Sequence, residues 1–281
     1  MCTVILRVPD HAGEPMRILA VRDEDPNRPW QPLGAWWPEA HPGVVGVRDV
    51  RAGGAWLAAD AATRRLAVLL NRHSPPVPEG VAPISRGAIV LDAVAGDAPE
   101  PTHAVLGFNL VDAGPDGVRV ITWDGLTRSE VAVPPGTHMI AHDDLDDPRT
   151  ARITAWHDAF AAASTTDDAA ASASPAMQAG EVADPDRALA DTVPPASGAI
   201  ASGGPAWAHP WLEVLARSAE LGATDDRAII RDNRPLGYPT QSLLLCVASI
   251  GTDGVEVEYG QLDLPGHWNP VHLVPPRGLD I

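Results

Sequence analysis

Residues 1–24, MCTVILRVPDHAGEPMRILAVRDE, decide the fold of this chain. Two short apolar runs, CTVILRV and MRILAV, flank a turn-like stretch from Pro9 to Pro15. Apolar runs joined by turn residues predict a β-hairpin. Because the first strand begins at the second residue, we expect Cys2 to stand at the end of a sheet strand.

Cys2 is a candidate nucleophile at this end of the strand. If Met1 is removed, Cys2 bears both a thiol and a free α-amine, and such an amine has an ordinary pKa of about 7.7–8.0. The amine can take the proton of its own thiol near neutral pH and later return it to a leaving group. The alternative is a buried and inert cysteine, the common state of cysteine in an apolar run.

The rest of the chain alternates apolar runs with turn residues. Further strands are predicted in GGAWLAAD, RLAVLLN, HAVLGFNLVDA, GVRVITWD, SEVAV, PPGTHMIA, QSLLLCVASI and VEVEYGQLD. Helices are predicted over residues 85–95, 148–163 and 207–221 from capping residues and helical spacing. Many strands with helices in separate places predict one α+β domain of stacked layers over residues 1–281.

Two segments differ from the rest in composition. Residues 26–53 are rich in Pro, Trp and Gly, which predicts a long irregular loop. Its tryptophans, Trp30, Trp36 and Trp37, would either line an apolar pocket or close the loop onto the core. Residues 164–205 have almost no large apolar side chains, so we predict a disordered or flexible insert there.

Composition narrows the classes of function. The chain has 281 residues and a net charge of −17, and all 20 of its basic residues are arginine. This acidic balance argues against nucleic acid or an anionic membrane as a partner. Two cysteines are too few for a disulfide scaffold, and no stretch approaches the roughly 20 apolar residues of a membrane helix. We therefore expect a soluble, cytoplasmic protein, for which a homo-oligomer is compatible with the sequence.

An acidic run, HDDLDDP, occupies residues 142–148. Histidine and carboxylates could serve as metal ligands. However, adjacent acids ahead of a predicted helix are explained by N-capping and by the helix dipole. We therefore assign no metal site from the sequence.

Four blocks of the sequence follow one another along the chain: MCTVIL, AVRDEDPNRP, GGAWLAAD and RLAVLLN. Together they resemble the NRDE family of transport and Golgi organisation proteins. The family typically opens with Met-Cys, continues with Asn-Arg-Asp-Glu and Arg-Pro, and then shows Gly-Gly-Thr-Trp-Leu-Gly and a strand ending in Thr-Asn. Here Val21 replaces the first Asn and Ala55 replaces the Thr, while Asn71 matches. The resemblance covers about residues 1–160 and, weakly, 236–260.

That family is similar to the choloylglycine and penicillin V hydrolases, so the resemblance implies a four-layer αββα N-terminal-nucleophile fold. It implies Cys2 as the nucleophile and Arg22 as the cation that lowers its thiol pKa. Asp23 or Asp25 would orient the α-amine, and Asn71 would donate to an oxyanion hole. The implied partner is a small-molecule substrate whose amide or other acyl group is cleaved or transferred through a thioester on Cys2.

Two departures from the family pattern leave a binding function open. Ala141 and His142 stand where the family commonly has Ser-Asn, so His142 would have to donate in place of an amide. Residues 239–242, PTQS, lack the Arg of a Gly-Thr-Arg-Ser block. Since the resemblance also implies haem and lipid or acyl-CoA handling, the alternative is a non-catalytic protein that binds such a ligand, with haem as cofactor. The candidate ligand-binding residues are Trp36, Trp37 and Trp56.

Overall fold

We describe a computed structural model of the protein over residues 2–11, 13–172 and 201–278, with side chains left aside for residues 165–172. Its strands are β1 (Thr3–Val8), β2 (Met16–Glu24), β3 (Trp30–Gly34), β4 (Val44–Asp49), β5 (Ala55–Asp60), β6 (Arg65–Asn71), β7 (Phe108–Gly114), β8 (Gly117–Trp123), β9 (Arg128–Ala132), β10 (Gly136–Ile140), β11 (Ala201–Ser202), β12 (Gln241–Gly251), β13 (Gly254–Gln261) and β14 (Val271–His272). Its helices are α1 (Gly87–Ala95), α2 (Ala151–Ser172) and α3 (His209–Ser218), with short 3-10 turns at Ala206–Ala208 and Arg234–Leu236.

The strands form two large antiparallel sheets. The five-stranded sheet has the order β10-β1-β2-β12-β13, and the seven-stranded sheet runs β3-β4-β5-β6-β7-β8-β9. Every strand of the second sheet therefore pairs with its neighbours along the chain. A short parallel pair, β11 with β14, forms a third sheet.

The β1–β2 hairpin predicted from the sequence is confirmed, and it sets the position of Cys2. Thr3 pairs with Val21 in the antiparallel register, so Cys2 lies one residue further along, opposite Arg22. Side chains alternate between the two faces of a strand. Cys2 and Arg22 therefore share the face turned towards the seven-stranded sheet, where Cys2 joins the inter-sheet core. Thr3 and Asp23 share the opposite face.

Three apolar clusters join the sheets and helices. The largest lies between the two sheets and includes Leu6 of β1 and Leu57 of β5. A second packs α2 and α3 on the five-stranded sheet, with Phe160 edge-on to Trp211. A third packs α1 on the seven-stranded sheet through Val90. Since a fully buried large apolar side chain contributes about 1.5–3 kcal/mol, these clusters make the main favourable contribution to a mixed α+β fold.

The irregular loop predicted over residues 26–53 is wrong, because two strands, β3 and β4, lie within it. Pro32 is tolerated in β3 because β3 is at the edge of its sheet. Gly46 is needed in β4, since an added Cβ there would lie 2.6 Å from the carbonyl oxygen of Leu57. The Pro and Gly content that suggested a loop is thus explained by sheet geometry.

The helices begin and end close to where the sequence placed them, with one exception. α1 ends at Ala95, as predicted, and the next residue, Gly96, has a left-handed φ of 100°. α2 continues to Ser172 rather than ending at residue 163. Ser164, the first residue of the predicted insert, is buried and accepts a hydrogen bond from Trp211 Nε1 at 3.0 Å. Residues 201–202 form β11, and residues 173–200 of the insert lie outside the described ranges. Within those ranges, no helix is both long and apolar enough to cross a bilayer.

Candidate active site

A cleft of about 550 Å³ lies beside Cys2, where the end of β2 faces the β4–β5 turn and the start of α1. Elements of both large sheets therefore contribute to its walls. The residues that line it are Cys2, Arg22, Asp23, Glu24, Arg28, Asp49, Arg51, Ala52, Ala55, Trp56, Leu69, Asn71, Pro83, Ile84, Ser85, Arg86, Gly87 and Leu106.

Cys2 is 8% exposed and forms part of this lining. Its Sγ lies 3.7 Å from the backbone oxygen of Asp23, a distance that allows a weak S–H hydrogen bond. Cys246, also a free thiol, is buried in the core between the sheets. Cys2 is thus the cysteine of this chain whose sulfur borders the cleft.

Arg22 is buried in the same wall, with 2% of its surface exposed. Its guanidinium lies 5.8 Å from the centre of the Trp56 ring, and its Nη2 lies 3.6 Å from Glu24 Oε2. Its Nη1 is buried and has no hydrogen-bond partner among the described residues. Arg22 therefore presents an unsatisfied donor and a positive charge beside Cys2.

The surroundings of Cys2 disfavour its thiolate. Burial and the nearby Asp23 carboxylate raise the pKa of the Cys2 thiol above its ordinary value, while Arg22 acts in the opposite direction. Desolvation outweighs the opposing effect of Arg22. A separate base is therefore needed if Cys2 is to react as a thiolate near neutral pH.

Asp23 is fixed from the other face of β2. Ser242 Oγ donates to Asp23 Oδ1 at 2.6 Å and accepts from the backbone N–H of Arg231 at 2.9 Å. Both Asp23 and Ser242 are buried. On the same face, Arg152 Nη1 donates to Thr3 Oγ1 at 3.0 Å, and burial lowers the pKa of Arg152 to about 10. These contacts hold the ends of β1 and β2 in position.

The structure places Asn71 and Trp56 in the cleft lining and Asp25 outside it. Asn71 ends β6 and is exposed, so its amide is available to a ligand. Asp25 instead accepts hydrogen bonds from the backbone and side-chain nitrogens of Asn27, at 2.9 and 3.0 Å. Its carboxylate thus shapes the turn after β2.

Trp36 and Trp37 are not among the described residues that line the cleft. Both pack in or against the apolar cluster beneath α1. The Nε1 of Trp36 donates to the carbonyl oxygen of Pro32 at 2.7 Å, and that of Trp37 donates to Gly53 at 2.8 Å. The sequence left open whether these tryptophans line a pocket or close residues 26–53 onto the core. Their contacts are of the second kind.

Comparison with known families agrees with the sequence blocks that build this cleft. The family model for Transport and Golgi organisation 2 matches residues 1–196. The chain belongs to this family. No curated protein matches the chain. In this Transport and Golgi organisation 2 family member, every residue of the described cleft lining falls inside the matched range.

His142 lies in the turn after β10 of this family member, outside the described cleft lining. Its Nε2 is 3.3 Å from Asp143 Oδ2, and burial lowers the pKa of the ring. The acidic run forms contacts in the turn before α2, where Asp147 accepts from the backbone N–H of Arg149 at 2.9 Å and Asp143 accepts from Thr150 Oγ1 at 2.7 Å. Neither contact is to an N–H of α2, which begins at Ala151. No group of three potential metal ligands occurs in the described ranges.

Sequence reasoning missed Arg86, which precedes α1 and lines the cleft of this family member. Its Nη1 donates to the carbonyl oxygen of Gly107 at 2.7 Å. The neighbouring Gly87 touches Gly54, where an added Cβ would lie 2.2 Å from the Gly87 carbonyl carbon. The signal was a Gly-Gly pair before β5 and an Arg-Gly pair at the start of α1, but only the fold brings the two pairs together.

Proposed function

We propose that this protein is a cysteine N-terminal-nucleophile hydrolase or acyltransferase that acts on an amide or activated acyl bond of a small molecule. The observation that carries the proposal is that Cys2, one residue beyond the Thr3–Val21 pair, lines a cleft together with Arg22. The packing order supports it. Apolar clusters pack α2 and α3 on the five-stranded sheet, this sheet on the seven-stranded sheet, and α1 on the seven-stranded sheet, an order compatible with the proposed αββα sandwich.

The reaction proposed begins after removal of Met1. The α-amine of Cys2 takes the thiol proton, and the sulfur attacks the carbonyl carbon to form a C–S bond, while one electron pair of the carbonyl moves to oxygen. Collapse of this intermediate breaks the bond to the leaving group, which receives the proton from the α-ammonium. Water or an amine then attacks the thioester and releases Cys2 as a thiol.

The raised pKa of the thiol is consistent with this scheme, because a desolvated thiol requires a base within reach. The oxyanion requires donors, and each well-placed donor contributes about 3–4 kcal/mol to transition-state stability. Arg22 Nη1 and Trp56 Nε1 are buried donors with no partner among the described residues, and both belong to lining side chains. Asn71 offers a further amide at the same cleft.

A test follows from the two cysteines. The protein is incubated with p-nitrophenyl esters and p-nitroanilides of short and long acyl groups, and p-nitrophenol or p-nitroaniline release is followed together with protein mass. We expect turnover with an acyl adduct on Cys2, loss of both in Cys2→Ala, and retention of both in Cys246→Ala. Unchanged turnover in Cys2→Ala, or turnover by protein that retains Met1, would contradict the proposal.

Binding without chemistry is the second candidate, favoured by the apolar side chains of Leu69, Ile84 and Leu106 near Trp56 in the lining. An acyl chain could pack against them. A haem does not fit these residues, because the described lining has no His, Met or Tyr, which leaves Cys2 as the axial ligand, and burial disfavours its thiolate. Saturable binding of a long-chain acyl-CoA without any adduct on Cys2 would favour this second candidate.

A further inference from the structure

The cleft is richer in positive charge than the chain that forms it. Four arginines and three carboxylates line it, although the chain has a net charge of −17. Arg28 is neutralised by Asp49, whose Oδ2 lies 2.6 Å from its Nη2. Arg51 and Arg86 form no ion pair with any residue in the described ranges. The lining therefore contains two cations without counter-ions among the residues that the structure describes.

Arg86 is the more constrained of these two cations. It is half-buried, and one nitrogen is occupied by the Gly107 carbonyl at 2.7 Å. Burial lowers the pKa of Arg86, and the charge of Glu24 acts in the opposite direction from beyond ion-pair distance. An arginine stays protonated under such a shift. A partly desolvated cation without a counter-ion costs free energy, which a bound anion would offset.

Other donors in the lining point to the same class of ligand. Arg22 Nη1 and Trp56 Nε1 are buried there without acceptors among the described residues. The close contact between Gly54 and Gly87 constrains the backbone next to Arg86. A wall with several unsatisfied donors and excess positive charge is complementary to a ligand rich in oxygen acceptors.

We propose that the substrate carries an oxyanionic group, a carboxylate or a phosphate, which Arg86 binds together with Arg51 while the acyl carbon meets Cys2. This inference rests on the proposed function and adds a substrate class to it. The guanidinium fork suits two oxygens of one carboxylate or phosphate. Arg86 is therefore a specificity-determining residue, and Arg51, which is exposed, completes the site from the rim.

The test compares charged and neutral acyl donors of equal length. Phenyl thioesters of dicarboxylic acids with two to five methylenes are matched to analogues whose free carboxylate is a primary amide. Acylation of Cys2 is timed by intact-protein mass spectrometry. We expect the charged donor of best length to react about tenfold to hundredfold faster. Arg86→Gln should abolish that preference, Arg86→Lys should keep part of it, and exposed Arg217→Gln should keep all of it.

Direct binding separates failure of this inference from failure of the proposed function. Isothermal titration of the Cys2→Ala variant with glutarate and, separately, with inorganic phosphate needs no chemistry on Cys2. Saturable binding of either anion supports the site if it is lost in Cys2→Ala/Arg86→Gln and weakened in Cys2→Ala/Arg51→Gln. The anion that binds more tightly shows whether the site prefers a carboxylate or a phosphate. Absence of binding by both, equal acylation by charged and neutral donors, or a preference that survives Arg86→Gln overturns it. If no donor acylates Cys2 yet the anion binds through Arg86, the proposed function fails and the anion site stands.

Discussion

The guanidinium of Arg22 lies 5.8 Å from the centre of the Trp56 ring, so a cation of the five-stranded sheet faces an aromatic ring of the seven-stranded sheet. A cation–π contact of this kind contributes about 0.5–2 kcal/mol. The Nη1 of Arg22 has no hydrogen-bond partner in the described part of the chain. The contact thus fixes Arg22 beside Cys2 while its charge stays available to the thiol and to a ligand.

Replacement of Arg22 by Gln should slow the reaction of Cys2. Arg22 lowers the pKa of the Cys2 thiol, so its loss raises that pKa further above the ordinary value. Each unit of increase reduces the thiolate fraction about tenfold at a fixed lower pH. The measurement is the rate of iodoacetamide alkylation of Cys2 against pH, read by mass. Arg22→Lys keeps the charge and should change the profile less, and an unaltered profile in Arg22→Gln would show that Arg22 does not act on the thiol.

Loss of the Ser242 hydroxyl should loosen the ends of β2 and β12. The hydroxyl donates to Asp23 and accepts from the Arg231 backbone, so Ser242→Ala deprives two buried polar groups of a partner. We expect a loss of about 1–3 kcal/mol in the free energy of unfolding by urea. Ser249→Ala, on the same strand but partly exposed, should stay within about 0.5 kcal/mol of the parent protein. Equal stability of the two variants would show that the hydrogen bonds of Ser242 do not stabilise the fold.

A methyl group at Gly54 should displace the start of α1. An added Cβ would lie 2.2 Å from the backbone of Gly87, which cannot rotate away as a side chain could. Overpacking of this kind costs about 1–3 kcal/mol or more. The matched control is Gly222→Ala, because nothing lies within 4 Å of that Cβ position. The measurement is the midpoint of thermal unfolding, which should be lower for Gly54→Ala than for Gly222→Ala. Equal midpoints would mean that the Gly54–Gly87 contact is not tight.

The His138–Asp146 pair should make stability depend on pH. His138 Nδ1 lies 2.6 Å from Asp146 Oδ2 and its Nε2 lies 3.0 Å from the Pro134 carbonyl oxygen, so the imidazolium donates to two acceptors. The hydrogen bond to Asp146 raises the pKa of His138 above its ordinary 6.5. A raised folded-state pKa gives stability that is full below about pH 6.5 and is lost as pH rises through the folded value. His157, 3.9 Å from Asp146, faces the same carboxylate.

The corresponding experiment compares His138→Gln with the parent protein by urea unfolding from about pH 5 to about pH 9. We expect the parent to be more stable by about 1–2 kcal/mol at the acidic end and the difference to shrink towards the alkaline end. His73→Gln, at an exposed histidine, controls for the loss of an imidazole. A difference that is constant across the range would rule out the protonated pair as its cause.

The parts of the site that are local in sequence could be predicted from it. The β1–β2 hairpin followed from two apolar runs and a turn, and its register places Cys2 opposite Arg22. The strand that ends at Asn71 was predicted in the same way, and that residue lines the cleft. Short-range periodicity and turn chemistry carry this information.

Contacts between distant segments could not be predicted. Ser242 meets Asp23 only because β12 pairs with β2 and shifts its register after that residue. Arg86 reaches the cleft only because two glycine backbones touch across α1 and the β4–β5 turn. The strands β3 and β4 were missed because they contain Pro and Gly. The Pro is tolerated because β3 is an edge strand, and the Gly is required because another backbone lies close to β4. The role of each of these residues depends on contacts with segments that are distant in the sequence.

The account rests on Cys2 as a processed, acylated nucleophile, and intact-mass analysis before and after treatment with an acyl thioester tests this directly. We predict a starting mass without Met1, a gain of one acyl group that peptide mapping assigns to Cys2, and loss of that group with hydroxylamine. A chain that keeps Met1, or an acyl group that maps elsewhere or survives hydroxylamine, would contradict the account.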